Sequence, residues 1–137
     1  MCLQTAQKEV KIAKKDLIVY KLFEKQEGNY FVSPYQNFEY KINKLYKTNI
    51  LEDKDDCAFD ELSRKIRLKS KKRWKSYGKG FHAALYKNRF ENTEDDAFYG
   101  LVVKCVIPKN SKYYVGFGKL IISNQIIVIG EIVEYKD

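Results

Sequence analysis

The chain has 137 residues, of which 45% are hydrophobic and 15% aromatic, and it carries 26 basic against 18 acidic residues, a net charge of +8. This length suits one domain with its own core, without a disulfide framework. The sequence contains no apolar stretch of the ~20 residues that a transmembrane helix needs, and polar, lysine-rich residues follow Met1-Cys2-Leu3 where a signal peptide would be apolar. We therefore expect a soluble, cytoplasmic protein.

The positive charge is concentrated in one segment, residues 64–79, which we call the basic run. It holds nine of the 26 basic residues and no acidic residue, so the remainder of the chain has a net charge of −1 (17 − 18). Trp74 and Tyr77 lie within it. The basic residues are Arg64, Lys65, Arg67, Lys69, Lys71, Lys72, Arg73, Lys75 and Lys79.

In chain order, residues 1–15 are polar and we expect them to form an N-terminal arm, ahead of a single domain over residues 16–137. Apolar residues at 16–23 predict the first strand, and residues 30–32 are expected to pair back across a turn at 26–29. Pro34 should interrupt this ladder because proline cannot donate a backbone hydrogen bond. Alternation of apolar and polar residues at 38–42 predicts another, half-buried strand.

The acidic segment, residues 49–60, precedes the basic run and has few apolar residues, so we expect a loop that could lie across the run as a counter-charge. Ile66 and Leu68 alternate with basic residues and predict a short edge strand. Gly78 and Gly80 are expected to give a mobile connection into residues 80–86.

A short helix is predicted from Asn92 or Thr93, with three acidic residues in its first turn, to Gly100. Strands are predicted over residues 101–107, 112–115, 120–122 and 126–135, with turns at 108–110 and 124–125. The expected fold class is therefore α+β, a mostly antiparallel twisted sheet with one or two short helices.

The chain has three widely spaced cysteines and one histidine, which gives no zinc-binding pattern, so we expect neither a metal site nor a cofactor. Cys105 lies in an apolar run and is expected to be a buried thiol. Cys2 would become an N-terminal nucleophile if Met1 were removed. The alternative, which we favour, is an incidental cysteine in a frayed terminus.

The basic run is interpreted as a phosphate-binding segment, because like charges that repel one another are stabilised by a polyanion and the aromatic side chains can stack on bases. Lysine outnumbers arginine, which suits contacts to phosphate more than hydrogen bonding to base edges, so weak sequence specificity is expected. The alternative is a solvated basic surface.

Polar side chains elsewhere are candidates for a pocket. Ser33, Tyr35 and Gln36 form a polar, aromatic loop, and His82 follows a glycine near the start of a predicted strand. If these residues converge in the fold, His82 could act as a hydrogen-bond donor or acid–base group. The alternative is a rigid turn whose Tyr35 covers the core, with His82 in an ordinary packed position.

Five short motifs follow one another along the chain: the Met1-Cys2-Leu3 start, the SPYQxFxY block at residues 33–40, Gly80-Phe81-His82-Ala83, the CVIPKxSKYY block at 105–114 and Ser123-Asn124-Gln125-Ile126. Together they resemble a group of short uncharacterised proteins of bacteria and their phages or prophages. The resemblance implies a mobile-element or host–phage setting and no particular activity. The basic run departs from the group's pattern, in which the chain before the Gly-Phe-His step is shorter and less charged.

The chain also has a faint similarity to ADP-ribosyltransferase-type folds, in which His82, Tyr113 or Tyr114, and Glu131 would be the catalytic candidates. Three hypotheses follow. The first, which we favour, is a non-enzymatic protein that binds nucleic acid or a nucleotide through the basic run. The second is an inhibitor that binds an acidic surface of a host protein, and the third is a small transferase-like enzyme.

Overall fold

A computed structural model describes residues 3–5, 10–33, 38–52, 75–86, 100–116 and 119–136. Strands dominate these residues. In chain order they are β1 (Leu3–Thr5), β2 (Lys11–Ile12), β3 (Leu17–Phe23), β4 (Lys25–Glu27), β5 (Tyr30–Val32), β6 (Glu39–Lys41), β7 (Leu45–Lys47), β8 (Leu51–Glu52), β9 (Lys75–Lys79), β10 (Phe81–Ala84), β11 (Gly100–Ile107), β12 (Lys112–Val115), β13 (Leu120–Ser123) and β14 (Gln125–Lys136).

The expected α+β class is wrong, because the described part of the chain contains no helix and is built from antiparallel sheets. A helix was expected from the capping residue at Asn92 or Thr93 and the acidic turn after it. In the described residues strands cover the inner face of the largest sheet instead, with Phe31 of β5 and Tyr40 of β6 in its core. The predicted helix at 92–99 lies outside the described residues, and Gly100 begins a strand instead of ending a helix.

The largest sheet has eight antiparallel strands in the order β2-β12-β13-β10-β3-β11-β14-β7. Its centre is the pairing of β3 with β11, which runs without a shift from Leu101↔Phe23 to Ile107↔Leu17. The β11–β14 ladder is interrupted between Val102 and Val103 and between Lys104 and Cys105. Two three-stranded sheets accompany it, with the orders β1-β9-β8 and β4-β5-β6.

The eight-stranded sheet curves around its inner face. The Tyr40 ring lies 5.1 Å from the ring of Tyr46 on β7 and 6.2 Å from that of Phe81 on β10, so it contacts two strands that are four inter-strand steps apart. In a flat sheet these strands would be about 19 Å apart. Phe23, Cys105 and Ile121 are fully buried on this face.

The outer face carries a second, smaller cluster around the fully buried Ile122, which packs against Ile50, Tyr114 and Leu120. Ile50 immediately precedes β8, and β1 contacts β13. The sheet β1-β9-β8 therefore covers the outer face of β12 and β13.

Several expected elements are confirmed: the strands at 17–23, 101–107 and 112–115, and the turn before residue 111, where Asn110 has a φ of 73°. Residues 30–32 were expected to pair with the first strand, β3. They form β5, which pairs with β4 and β6 instead. The expected mobile connection at 78–80 is wrong, because residues 75–79 form β9 and only Gly80 separates β9 from β10.

Within residues 1–15, β1 pairs with β9 and β2 pairs with β12. Burial of Cys105 is confirmed: its thiol is fully buried and donates to the carbonyl oxygen of Val103 at 3.7 Å. No helix in the described residues is both long and apolar enough to span a membrane.

Candidate functional site

The basic run enters the described structure only at its C-terminal end. Lys75 and Lys79 are the first and last residues of β9, and the Lys79 side chain is exposed. The other predicted phosphate-binding residues lie outside the described residues: Arg64, Lys65, Arg67, Lys69, Lys71, Lys72, Arg73 and Trp74.

The last five residues of the basic run form β9, the central strand of a three-stranded sheet. It lies between β1 and β8, with Tyr77 opposite Glu52 and Lys79 opposite Leu51. β8 and β9 are therefore adjacent antiparallel strands. Glu52 of the acidic segment and Tyr77 of the basic run are therefore paired residues of one sheet.

The pocket candidates are divided between two sheets. Ser33 follows β5, is 8% exposed, and its backbone N–H donates to the carbonyl oxygen of Phe38 at 2.9 Å. Tyr35 and Gln36 lie outside the described residues. His82 lies on β10, between Phe81 and Ala83, which both pack in the inner core. Because side chains alternate along a strand, His82 belongs to the outer face.

The transferase-like candidates are not brought together. His82 pairs with Ile122, which pairs with Tyr114, so Tyr114 shares the outer face with His82. Tyr113 instead packs against the inner core. Glu131 lies on β14, three inter-strand steps from His82, or about 14 Å along the sheet. The Glu131 carboxylate is 3.6 Å from the ammonium of Lys104.

Sequence reasoning missed a lysine on the inner face of the sheet. Lys21 lies between Val19 and Phe23 on that face, and both of these neighbours are fully buried. Its ammonium donates to the carbonyl oxygen of His82 at 2.7 Å and lies 5.7 Å from the centroid of the Tyr40 ring. Nothing in the sequence marks it, because residues 17–23 are apolar on both faces of the strand and do not show which face is buried.

The carbonyl of His82 is available to Lys21 because β10 and β3 separate at this point. Among the described residues these strands pair at one position, Ala84↔Tyr20. Beyond it, the backbone carbonyl of His82 accepts its hydrogen bond from the Lys21 side chain. Lys21 thus bridges the opening between two neighbouring strands.

Neutral groups surround the Lys21 ammonium. Burial lowers the pKa of Lys21 from 10.5 to about 8, an effect that the nearby Cys105 opposes. Burial also raises the pKa of Tyr40 to about 12 and that of Cys105 to about 12. Both groups are protonated at neutral pH, so neither supplies a carboxylate-like partner for the ammonium. The Lys21 side chain is therefore a buried ammonium below pH 8 and loses its proton above that pH.

Aromatic rings close the core next to Lys21. Tyr40 is the centre of the group, with ring centroids 5.6 Å from Phe23, 4.7 Å from Phe38, 5.1 Å from Tyr46 and 6.2 Å from Phe81. Most of these contacts are edge-to-face, the favourable geometry for aromatic pairs. The group explains the burial of Tyr40 and leaves Phe38 at its exposed margin.

The described residues contain no group of three or more His, Cys, Asp or Glu side chains that could hold a metal ion. Comparison of the chain with protein-family models, with curated proteins and with solved structures found no match.

Proposed function

We propose that this protein is a small basic binding protein of a phage or mobile element, or of its host, that engages nucleic acid or a nucleotide through the basic run. One observation carries the proposal: nine basic residues and no acidic residue lie within residues 64–79, and without them the net charge of +8 becomes −1 (17 − 18). Self-repulsion within such a segment is relieved when phosphates neutralise it.

The position of β9 supports this assignment. The run ends in a strand that is hydrogen-bonded on both sides, and the last cation, Lys79, is exposed there. The C-terminal part of the run is therefore presented from a fixed backbone, which lowers the entropy lost on binding. Trp74 and Tyr77 are available in the sequence for stacking on bases.

The test compares two variants with equal loss of charge. Replacing Lys71, Lys72 and Arg73 by serine removes three charges from the run, and replacing Lys25, Lys41 and Lys44 by serine removes three from exposed positions elsewhere. We expect the run variant to lose affinity for a fluorescent 12-nucleotide DNA by about tenfold or more, measured by anisotropy at fixed salt. The control variant should lose much less. Equal losses in both variants would contradict the proposal.

A pull-down from lysate separates this function from inhibition of a protein with an acidic surface. Partners that depend on nucleic acid disappear after nuclease treatment. A protein partner that survives nuclease and is lost in the run variant would favour the inhibitor instead.

A further inference from the structure

A second group of lysines gathers at one corner of the eight-stranded sheet. The backbone N–H of Ala13 donates to Ser111 at 2.9 Å, and that of Asn110 donates to Ala13 at 2.8 Å. β2 continues the contact through the pairs Lys112↔Ile12 and Tyr113↔Lys11. Two segments distant in sequence are thereby joined. We call their exposed lysines the lysine corner: Lys11, Lys14, Lys15, Lys109 and Lys112.

The charge of the lysine corner is not neutralised within the described structure. The acidic residue beside it, Asp16, accepts a hydrogen bond from the backbone N–H of Lys109 at 2.8 Å. None of the five lysines forms an ion pair with an acid in the described ranges, where the ion pairs are Lys25–Glu27 and Lys104–Glu131. The corner therefore remains a concentrated positive surface.

The backbone of the corner is firmly held. Ala13 and Ser111 are buried, with 1% and 0% exposure. The N–H of Lys112 donates to the side-chain oxygen of Asn124 at 2.9 Å, and the N–H of Asn124 donates back to the carbonyl of Lys112 at 3.0 Å. The lysines thus project from a fixed scaffold.

The lysine corner lies at the same end of the sheet as the end of the basic run. Phe81, Ser123, Tyr113 and Lys11 are paired in one row across β10, β13, β12 and β2. β10 and β12 run in the same direction, so Gly80 and Lys112, which directly precede Phe81 and Tyr113, lie at the same end of the sheet. Two inter-strand steps, about 10 Å, separate β10 from β12. Lys79 directly precedes Gly80 and is the last residue of β9, in the sheet that covers the outer face.

We infer that a phosphate-binding surface extends from Lys79, the last residue of the basic run, through Lys112 onto the lysine corner, and that its ligand is a nucleic acid strand and not a single nucleotide. The inference rests on the proposed function. Lys79 and the lysine corner present six exposed cations on separate elements of the fold. A mononucleotide carries its phosphate charge at one point, whereas the successive phosphates of a strand can contact cations spread over these elements.

The test uses labelled DNA oligonucleotides of 2 and 12 nucleotides and a corner variant, Lys14→Ser/Lys109→Ser/Lys112→Ser. The parent protein should bind the 12-mer much more tightly than the 2-mer. The corner variant should lose about tenfold for the 12-mer, and its slope of log affinity against log salt should become shallower by roughly 2. The Lys25/Lys41/Lys44 serine variant, which has the same net charge, should keep the affinity and the slope of the parent.

The outcomes distinguish the two proposals. If the parent binds the 12-mer, the run variant does not, and the corner variant matches the control, the lysine corner plays no part and the proposed function stands. If the parent binds neither oligonucleotide, both proposals fail. If polyglutamate of matched charge binds as tightly as the 12-mer, and the corner variant loses both, the partner is an acidic protein and the nucleic acid assignment is overturned.

Discussion

The ammonium of Lys21 lies 2.7 Å from the backbone carbonyl oxygen of His82, across the opening between β3 and β10. The bond satisfies a carbonyl that the sheet ladder does not reach. It also holds a positive charge on the apolar inner face, where burial lowers the pKa of Lys21 to about 8.

The Lys21 charge gives stability a defined dependence on pH. Below pH 8 both the folded and unfolded states are protonated, and the folded state bears the full cost of the buried charge. Between pH 8 and 10.5 the unfolded state binds more protons, so the free energy of unfolding rises with pH. Cys105 acts in the opposite direction above its unfolded pKa of 9.0, because burial raises its pKa to about 12. The clearest window is therefore pH 8–9.

Lys21→Met should remove this dependence. The parent protein is expected to gain about 1 kcal/mol more than the variant in free energy of unfolding between pH 8 and 9, measured by urea denaturation. At pH 7 the removal of the desolvated charge is opposed by the loss of the hydrogen bond to the His82 carbonyl, so the pH dependence is the measured quantity and not the absolute stability. An equal rise with pH in both proteins would show that Lys21 is not the titrating group.

Two buried serines differ in their hydrogen bonds. Ser123 Oγ donates to the carbonyl of Gln125 at 2.9 Å and accepts from its N–H at 3.2 Å, whereas Ser111 Oγ has no hydrogen-bond partner within the described structure. Ser123→Ala should cost about 1–2 kcal/mol, and Ser111→Ala should be neutral or stabilising. Chemical denaturation of both variants measures the difference. A larger loss for Ser111→Ala would mean that its hydroxyl has a role that these contacts do not show.

Gly80 joins the end of the basic run to β10 in a conformation that other residues rarely adopt. Its φ is 146°, and an added Cβ would lie 2.6 Å from Cγ1 of the buried Ile122. Gly80→Ala should therefore destabilise by about 2–4 kcal/mol. Gly28 has a φ of 60° with open space around it, so Gly28→Ala should cost only about 1 kcal/mol. Thermal unfolding of the two variants tests the order, and equal costs would contradict the close packing at Gly80.

The strands were predictable from the sequence where the residues within one strand show its pattern. Runs rich in apolar, β-branched and aromatic residues predicted β3, β11 and β12, and the apolar run around Cys105 predicted its burial. Gly100 shows where local signals fail. As a glycine after an acidic segment it suggests a helix end, but in the fold an added Cβ would overlap the carbonyl oxygen of Phe23. That contact comes from long-range pairing, which spacing in the sequence does not reveal.

The same distinction applies to the candidate site. The basic run is visible as a local excess of charge. The lysine corner depends on backbone bonds between Ala13, Asn110 and Ser111, residues that are distant in sequence. Lys21 was not detectable, because both faces of residues 17–23 are apolar in the sequence and a lysine on a strand normally points to solvent. The opening between β3 and β10 gives its ammonium a backbone partner.

The salt dependence of binding tests the central claim most directly. For single-stranded DNA, the slope of log affinity against log salt is about −0.7 for each phosphate neutralised. We predict a slope of about −3 or steeper for the parent protein, and a slope shallower by roughly 2 after Lys71, Lys72 and Arg73 are replaced by serine. An affinity independent of salt, or a slope that these replacements leave unchanged, would contradict phosphate binding by the basic run.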